Sequence, residues 1–264
     1  MDLIRQKSGF ICDMDGVIYH GNRLLPGVTE FVNWLYENNK HFLFLTNANH
    51  SSPRELQLKL KRMGLEIDEH HFYTSAMATA SFLSSQTPGC SAYIIGEHGL
   101  FNAMHEAGIV YNDVNPDYVV VGEGRSYSLD TLTKATNLVM AGAKLIGANS
   151  DVSGPIENGI APACRALIAP IEMATGKQAY FCGKPNPLMM RTGLRMLQCH
   201  SAEAVMVGDR MDTDVISGME SGMSTVLVLS GVSTRETLKT YAYRPSIVLD
   251  GVGDIAAIAR AQKT

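Results

Sequence analysis

A chain of 264 residues, 45% hydrophobic and 18% charged with 24 Gly and 10 Pro, can bury a sizeable core and lacks the composition of a disordered, collagenous or disulfide-bound protein. Its formal net charge of -4 at pH 7 provides no basic footprint for a nucleic-acid polymer or an anionic membrane surface. No apolar run reaches the roughly 20 residues of a membrane helix, and the opening MDLIRQKSGFICDMDG runs straight into a strand with acidic residues, so a cytoplasmic protein is expected. The five cysteines, Cys12, Cys90, Cys164, Cys182 and Cys199, are scattered without a C-x-x-C pair and read as reduced, mostly buried thiols.

Along the chain, short apolar runs alternate with amphipathic stretches and are punctuated by Gly, Asp, Asn or Pro. This is the βα texture of a parallel sheet covered by helices. Strands are expected at 9–12, 41–46, 92–95, 118–121, 144–148, 179–182, 204–208, 225–229 and 246–249, which is many for one sheet. Helices are expected near 27–38, 53–63, 76–86, 99–107, 129–141, 162–175, 187–199, 213–221, 233–240 and 252–262. Pro26 suits a first helical position, and Ser52 before Pro53 suits a helix start. No repeat, low-complexity tract or Ser/Gly linker marks a domain boundary.

The first expected strand ends in Asp13-Met14-Asp15-Gly16. In an open parallel sheet ligands gather beyond the carboxyl ends of the strands. If the backbone stays extended, Asp13 and Asp15 point to the same side, about 6.5–7 Å apart, and a hard cation such as Mg2+ relieves their repulsion while making a phosphate more electrophilic. Gly16 permits a tight turn. The second strand ends in Thr46-Asn47, a hydroxyl with backbone amides that can hold phosphate oxygens. Lys184 follows a later apolar run and offers an ammonium to the same oxygens. Gly208-Asp209-Arg210-Met211-Asp212-Thr213-Asp214 crowds three carboxylates at a strand end, a conflict that a cation resolves. Taken singly, these segments also suit an acidic turn, a helix cap, a solvated lysine and N-capping by Asp212. Their order along the chain argues for one site.

As a set, Asp13/Asp15, Thr46, Lys184 and Asp209/Asp214 resemble the four motifs of the haloacid dehalogenase-like hydrolase superfamily. Phe72-Tyr73-Thr74-Ser75-Ala76-Met77-Ala78-Thr79-Ala80, Asp113-Val114-Asn115-Pro116-Asp117, Gly183-Lys184-Pro185 and Leu229-Ser230-Gly231-Val232 look like its NagD-type phosphatases. The resemblance implies an α/β fold: a Rossmann-like parallel-sheet core at 1–79 and 183–264, and an inserted α/β cap of the C2 type at 80–182. It implies Asp13 as nucleophile and Asp15 as general acid and base. Thr46, Asn47 and Lys184 would bind the phosphoryl group. Mg2+ would be held by Asp13, the Asp15 main-chain carbonyl and Asp209, with Asp214 and Gly16 in support. The implied substrate is a small phosphorylated metabolite, a nucleoside monophosphate first, with sugar phosphates or pyridoxal phosphate as alternatives.

Three segments depart from the family pattern, Thr46-Asn47-Ala48-Asn49-His50-Ser51-Ser52 and the loops Ala148-Asn149-Ser150-Asp151 and Ser153-Gly154-Pro155-Ile156-Glu157-Asn158. His50 reads as a solvated loop residue and the two loops as substrate loops. Three rival readings are weaker. Val121-Gly122-Glu123-Gly124 starts like a dinucleotide-binding loop, but Tyr127 stands where a third glycine is needed. Dehalogenase chemistry has no use for a general acid at Asp15. A phosphoacceptor or binding module would explain the Asp, Thr and Lys but neither the length nor Asp209 and Asp214.

Overall fold

Gly9–Cys12 is buried at every position, and a strand apolar on both faces is stable only inside a sheet covered on both sides. The computed structural model describes residues 2–125, 127–156 and 158–261. They fall into two units, one of Met1–Thr46, Gln57–Tyr73 and Met189–Thr264, the other of Asn47–Leu56 and Thr74–Leu188.

Among the described residues the first unit carries a six-stranded sheet in the order Ile247–Leu249, Ser224–Val228, Ala204–Gly208, Gly9–Cys12, His41–Thr46, Phe72–Thr74. Gly9–Cys12 pairs in parallel with Ala204–Gly208 on one side and with His41–Thr46 on the other. Its side chains alternate between two helix layers. Phe10 meets Trp34 of the helix Val28–Glu37 edge to face, with ring centroids 5.4 Å apart. Ile11 meets the opposite layer at Gly193 in the helix Pro187–Leu197, where an added Cβ would come within 2.9 Å of the Ile11 Cδ1.

The second unit has its own five-stranded sheet among the described residues, in the order Tyr180–Phe181, Lys144–Gly147, Tyr118–Val121, Ser91–Ile95, Val110–Tyr111, with every pair parallel. The period of two is visible in Tyr118–Val121. Tyr118 and Val120 pack with Ala80, Leu83 and Leu100 on one face, while Val119 and Val121 pack with Leu138, Ile168 and Ile171 on the other. The antiparallel hairpin of Ser153–Ile156 and Gly159–Pro162 also belongs to this unit.

Several expectations are corrected. Pro26 is not the first helical residue: Gly27 is the N-cap of Val28–Glu37 with φ 77°, and the left-handed turn places the helix start after it. The expected strand 179–182 shortens to Tyr180–Phe181. The expected helix 213–221 opens as a π turn, Met211–Val215, because the N–H groups of Asp214 and Val215 both donate to the Arg210 carbonyl at 3.2 and 3.1 Å; Ile216–Glu220 then continues as α-helix. The helix Asp2–Gln6 and the strands Tyr19–His20, Arg23–Leu24, Phe72–Thr74 and Val110–Tyr111 were not expected, being too short to show a period. Ser52 does start its helix, through a capping box: its N–H donates to Glu55 Oε2 at 2.7 Å, and its Oγ accepts from the Glu55 N–H at 3.3 Å.

All five cysteines are free thiols, four of them buried. Burial pushes Cys164 and Cys182 up to about 12, which keeps them protonated and inert. Among the described residues no helix is long and apolar enough to cross a membrane.

The approach of Gly27 to Gly253 leaves no room for a side chain: a Cβ on Gly27 would lie 2.4 Å from the Gly253 Cα. Gly27→Ala combines that clash with a positive φ and is expected to lower unfolding free energy by about 2–4 kcal/mol. Urea unfolding checks this; an unchanged midpoint would show that the contact relaxes without cost.

Candidate active site

The register of the first sheet builds one side of the site. Cys12 lies opposite Val207 on one neighbour and Phe44 on the other, so three adjacent strands end in Asp13, Asp209 and Thr46, all buried. Asp13 extends the ladder by donating its N–H to the Val207 carbonyl at 2.8 Å. Beyond it the chain does not stay extended. The Met14 carbonyl accepts from the N–H groups of Val17, Ile18 and Tyr19 at 3.3, 2.8 and 3.2 Å, and Gly16 takes φ 78°. The condition of an extended backbone through Asp15 is therefore not met. Asp13 is 8% exposed, whereas the Asp15 side chain is 58% exposed and lies 3.6 Å from Nδ1 of His20.

The carboxylates that do converge are Asp13, Asp209 and Asp214, whose ligand oxygens all lie within 4.8 Å of one another. Asp214 closes the loop that carries Asp209, its Oδ2 accepting from the N–H groups of Asp209 and Arg210 at 3.1 and 3.0 Å. Asp212, the residue that reads as an N-cap, turns outward and pairs with the Arg210 guanidinium at 3.1 and 2.9 Å. Leu229-Ser230-Gly231-Val232 contributes one backbone amide and one hydroxyl. The Val232 N–H donates to Asp209 Oδ2 at 2.7 Å, and Ser230 Oγ donates to the Gly16 carbonyl at 2.7 Å. In the sequence this tetrapeptide reads only as a family signature, and its Gly is the signal of a close backbone approach.

The donor set suits a divalent cation with oxygen ligands. Three buried carboxylates at this spacing repel, and a hard cation removes the conflict. Two glycines leave space for Asp209: a Cβ on Gly16 would fall 2.6 Å from its Oδ2, and one on Gly231 would fall 2.0 Å from the same atom.

In the second unit Asn47 and Lys184 are brought together. Asn47 Oδ1 accepts from the Lys184 N–H at 2.7 Å, and Asn47 Nδ2 donates to the Lys184 carbonyl at 3.1 Å and to Asp151 Oδ2 at 2.9 Å. Lys184 is 2% exposed. The loop expected to meet substrate is tied into the same network. Asn149 Nδ2 donates to the Asn47 carbonyl at 2.8 Å and to Glu123 Oε1 at 3.0 Å, while its Oδ1 accepts from the Asp151 N–H at 3.0 Å. Ser153–Ile156 and Gly159–Pro162 instead form an exposed hairpin, and His50 is exposed. The glycines of the dinucleotide-like segment serve packing, since a Cβ on Gly122 would lie 2.5 Å from Asn49 Oδ1 and one on Gly124 2.9 Å from Glu97 Oε1.

Comparison with known proteins identifies the family. Residues 10–110 match the family described as haloacid dehalogenase-like hydrolase, and residues 181–255 match the HAD-hydrolase-like family. The chain is 46% identical to a dihydroxyacetone phosphatase of Corynebacterium glutamicum, over 94% of this chain and 90% of that protein. It is 41% identical to the ribonucleotide monophosphatase NagD of Escherichia coli, over 94% and 98%. The solved structure of a 4-nitrophenylphosphatase from Thermotoga maritima superposes with a TM-score of 0.94 at 32% identity, covering 98% of this chain and 99% of that one. The chain belongs to the haloacid dehalogenase-like hydrolases, with their Rossmann-like core and α/β cap. Within them it falls in the NagD-type subfamily, and it is a phosphoric monoester hydrolase.

Burial pushes Glu123 above the ordinary glutamate range; its hydrogen bond from Asn149 opposes the shift and the charge of Asp151 adds to it. The folded state therefore holds this proton more tightly than the unfolded chain does. Its stabilising contribution is present at low pH and is lost as pH rises from the ordinary glutamate range through the raised value. Glu123→Gln keeps the acceptor for Asn149 and removes the titration. The variant is expected to melt higher than wild type at about pH 8 and level with it at about pH 4; thermal melts giving the same offset at both pH values would contradict this.

Proposed function

We propose that this protein is a Mg2+-dependent phosphatase of small phosphate monoesters, nucleoside monophosphates first, working through an aspartyl-phosphate on Asp13. The observation that carries the reading is the buried cluster of Asp13, Asp209 and Asp214 at the carboxyl edge of the first sheet, next to the strand that ends in Thr46.

In this reading Asp13 and Asp209 hold Mg2+ together with the main-chain carbonyl of Asp15, and Asp214 supports them from its hydrogen bonds to the Asp209 and Arg210 N–H groups. When bound, the ion supplies positive charge against the carboxylates and the phosphoryl oxygens. The Asp13 carboxylate attacks phosphorus as the bond to the leaving oxygen breaks, and the Asp15 carboxyl gives that oxygen its proton. The Asp15 carboxylate then takes a proton from water, whose oxygen attacks phosphorus. Inorganic phosphate leaves and Asp13 is restored. The two aspartates need different surroundings for these roles, and the turn at Met14 supports that: Asp13 is buried in the cluster, while Asp15 is open to solvent. Thr46 holds the phosphoryl oxygens through its hydroxyl, Lys184 through its ammonium and Asn47 through its main chain. Gly16 makes the turn between the two aspartates.

The functional boundaries proposed from the motif order are a core at 1–79 and 183–264 with a cap at 80–182. Packing draws 74–79, 183–188 and 47–56 into the second unit. The ribonucleotide monophosphatase relative favours a nucleotide substrate, and the relative named for dihydroxyacetone phosphate chemistry favours sugar-type phosphates as the second reading.

Steady-state phosphate release with Mg2+ should be compared across nucleoside monophosphates, sugar phosphates and pyridoxal phosphate. The highest kcat/KM is expected for a nucleoside monophosphate, by about 10-fold or more; a maximum on a sugar phosphate would move the substrate to the second reading. Asp13→Asn is expected to lower kcat by at least about 10^3-fold while keeping the fold. Retained turnover in that variant would remove Asp13 as nucleophile, and stoichiometric phosphorylation without turnover in the wild type would sink the phosphatase reading.

A further inference from the structure

We infer that Asn47 is a positioning residue for Lys184, and that its side chain is not a ligand of the phosphoryl group. The inference rests on the reading of Lys184 as a phosphoryl ligand and concerns only what holds that lysine in place.

An Asn side chain offers two N–H donors and one carbonyl oxygen. Phosphoryl oxygens are acceptors, so only the donors could serve them. In Asn47 Nδ2 donates to the Lys184 carbonyl at 3.1 Å and to Asp151 Oδ2 at 2.9 Å, which uses both hydrogens. Oδ1 accepts from the Lys184 N–H at 2.7 Å. The orientation of the amide is fixed by its partners. A peptide N–H must meet the oxygen and a peptide carbonyl must meet the nitrogen, so a flipped amide would oppose donor to donor and acceptor to acceptor. The side chain therefore mimics a strand neighbour, pairing with both polar groups of one residue 137 positions away.

Asn47 is itself held. Its carbonyl accepts from Ser75 Oγ at 2.5 Å and from Asn149 Nδ2 at 2.8 Å. Gly183 is pressed against the same group, since a Cβ there would lie 2.7 Å from Asn47 Oδ1 and 2.7 Å from the Asn149 Cβ. Both sides of the Lys184 peptide are thus fixed relative to the residue that follows Thr46. A nearly buried ammonium has few alternative rotamers, so its placement depends on that backbone. Aspartate at 47 could accept from the Lys184 N–H but could not donate. It would set a carboxylate against the Lys184 carbonyl and against Asp151.

The test is a double-mutant cycle on 4-nitrophenyl phosphate hydrolysis, with Asn47→Ala, Asn47→Asp, Lys184→Ala and the pairs. Misplacement of a binding group by about 1 Å costs about 10^2-fold, so Asn47→Ala is expected to lower kcat/KM by about 10–10^2-fold, with Asn47→Asp lower still. On the Lys184→Ala background the loss from Asn47→Ala should shrink to about twofold or less, because the group it positions is gone. A purely structural role would leave the loss undiminished there. Gly183→Ala, which crowds the amide without removing it, should reproduce the loss and the same dependence on Lys184, and this holds the inference to a test even where Asn47→Ala fails to fold. Equal losses on both backgrounds, or Asn47→Asp as active as wild type, would overturn the inference. Full activity in Lys184→Ala would overturn the reading of Lys184 beneath it.

Discussion

The mutual repulsion of Asp13, Asp209 and Asp214, all buried and with carboxylate oxygens within 4.8 Å of one another, is the constraint around which the first unit is arranged. Two unit charges at about 4 Å and an effective dielectric constant of about 20 cost about 4 kcal/mol. A hydrogen bond to a charged group returns about 1.5–3 kcal/mol. The N–H groups of Asp209, Arg210 and Val232 that point at this cluster therefore offset part of the cost and orient the oxygens, but they do not remove the conflict. A site that keeps such a conflict is built for a positive partner.

The surrounding backbone follows from that requirement. The π turn at Met211–Val215 brings Asp214 back under Asp209. Gly16 and Gly231 pass so close to Asp209 Oδ2 that neither could carry a side chain. The tight turn after Asp13 separates two acidic residues only two positions apart into one buried and one open environment. The same sheet edge thereby carries two carboxyl groups with different access to water, as the proposed roles of nucleophile and general acid require.

The second unit solves a different problem with uncharged groups. Asn47 and Asn149 each spend donors and acceptor on the protein, and together they knit Lys184, Asp151 and Glu123 into one partly buried network. Amides suit this because they pair with a peptide on both sides at once, which neither a carboxylate nor an ammonium can do. The loop of Asn149 and Asp151, which the sequence marks as a departure from the family pattern, is therefore scaffolding in this structure. The neighbouring hairpin is exposed, with Ile160 at 75%.

The longer strands of both sheets were legible because their apolar runs are contiguous and bounded by Gly, Asp or Asn, and the motifs were legible because each ends such a run. Short pieces such as Tyr19–His20 and Val110–Tyr111 were not, since two residues show no period. By itself the sequence determined an α/β chain of two sheets' worth of strands, the family, and the residue types at each strand end. Only the tertiary structure decided that Asp214 joins Asp13 and Asp209 while Asp15 stays open to solvent, because that outcome depends on hydrogen bonds in two separate turns. It alone decided that the amide of Asn47 is committed to Lys184, because the two residues are 137 positions apart and only folding makes them neighbours.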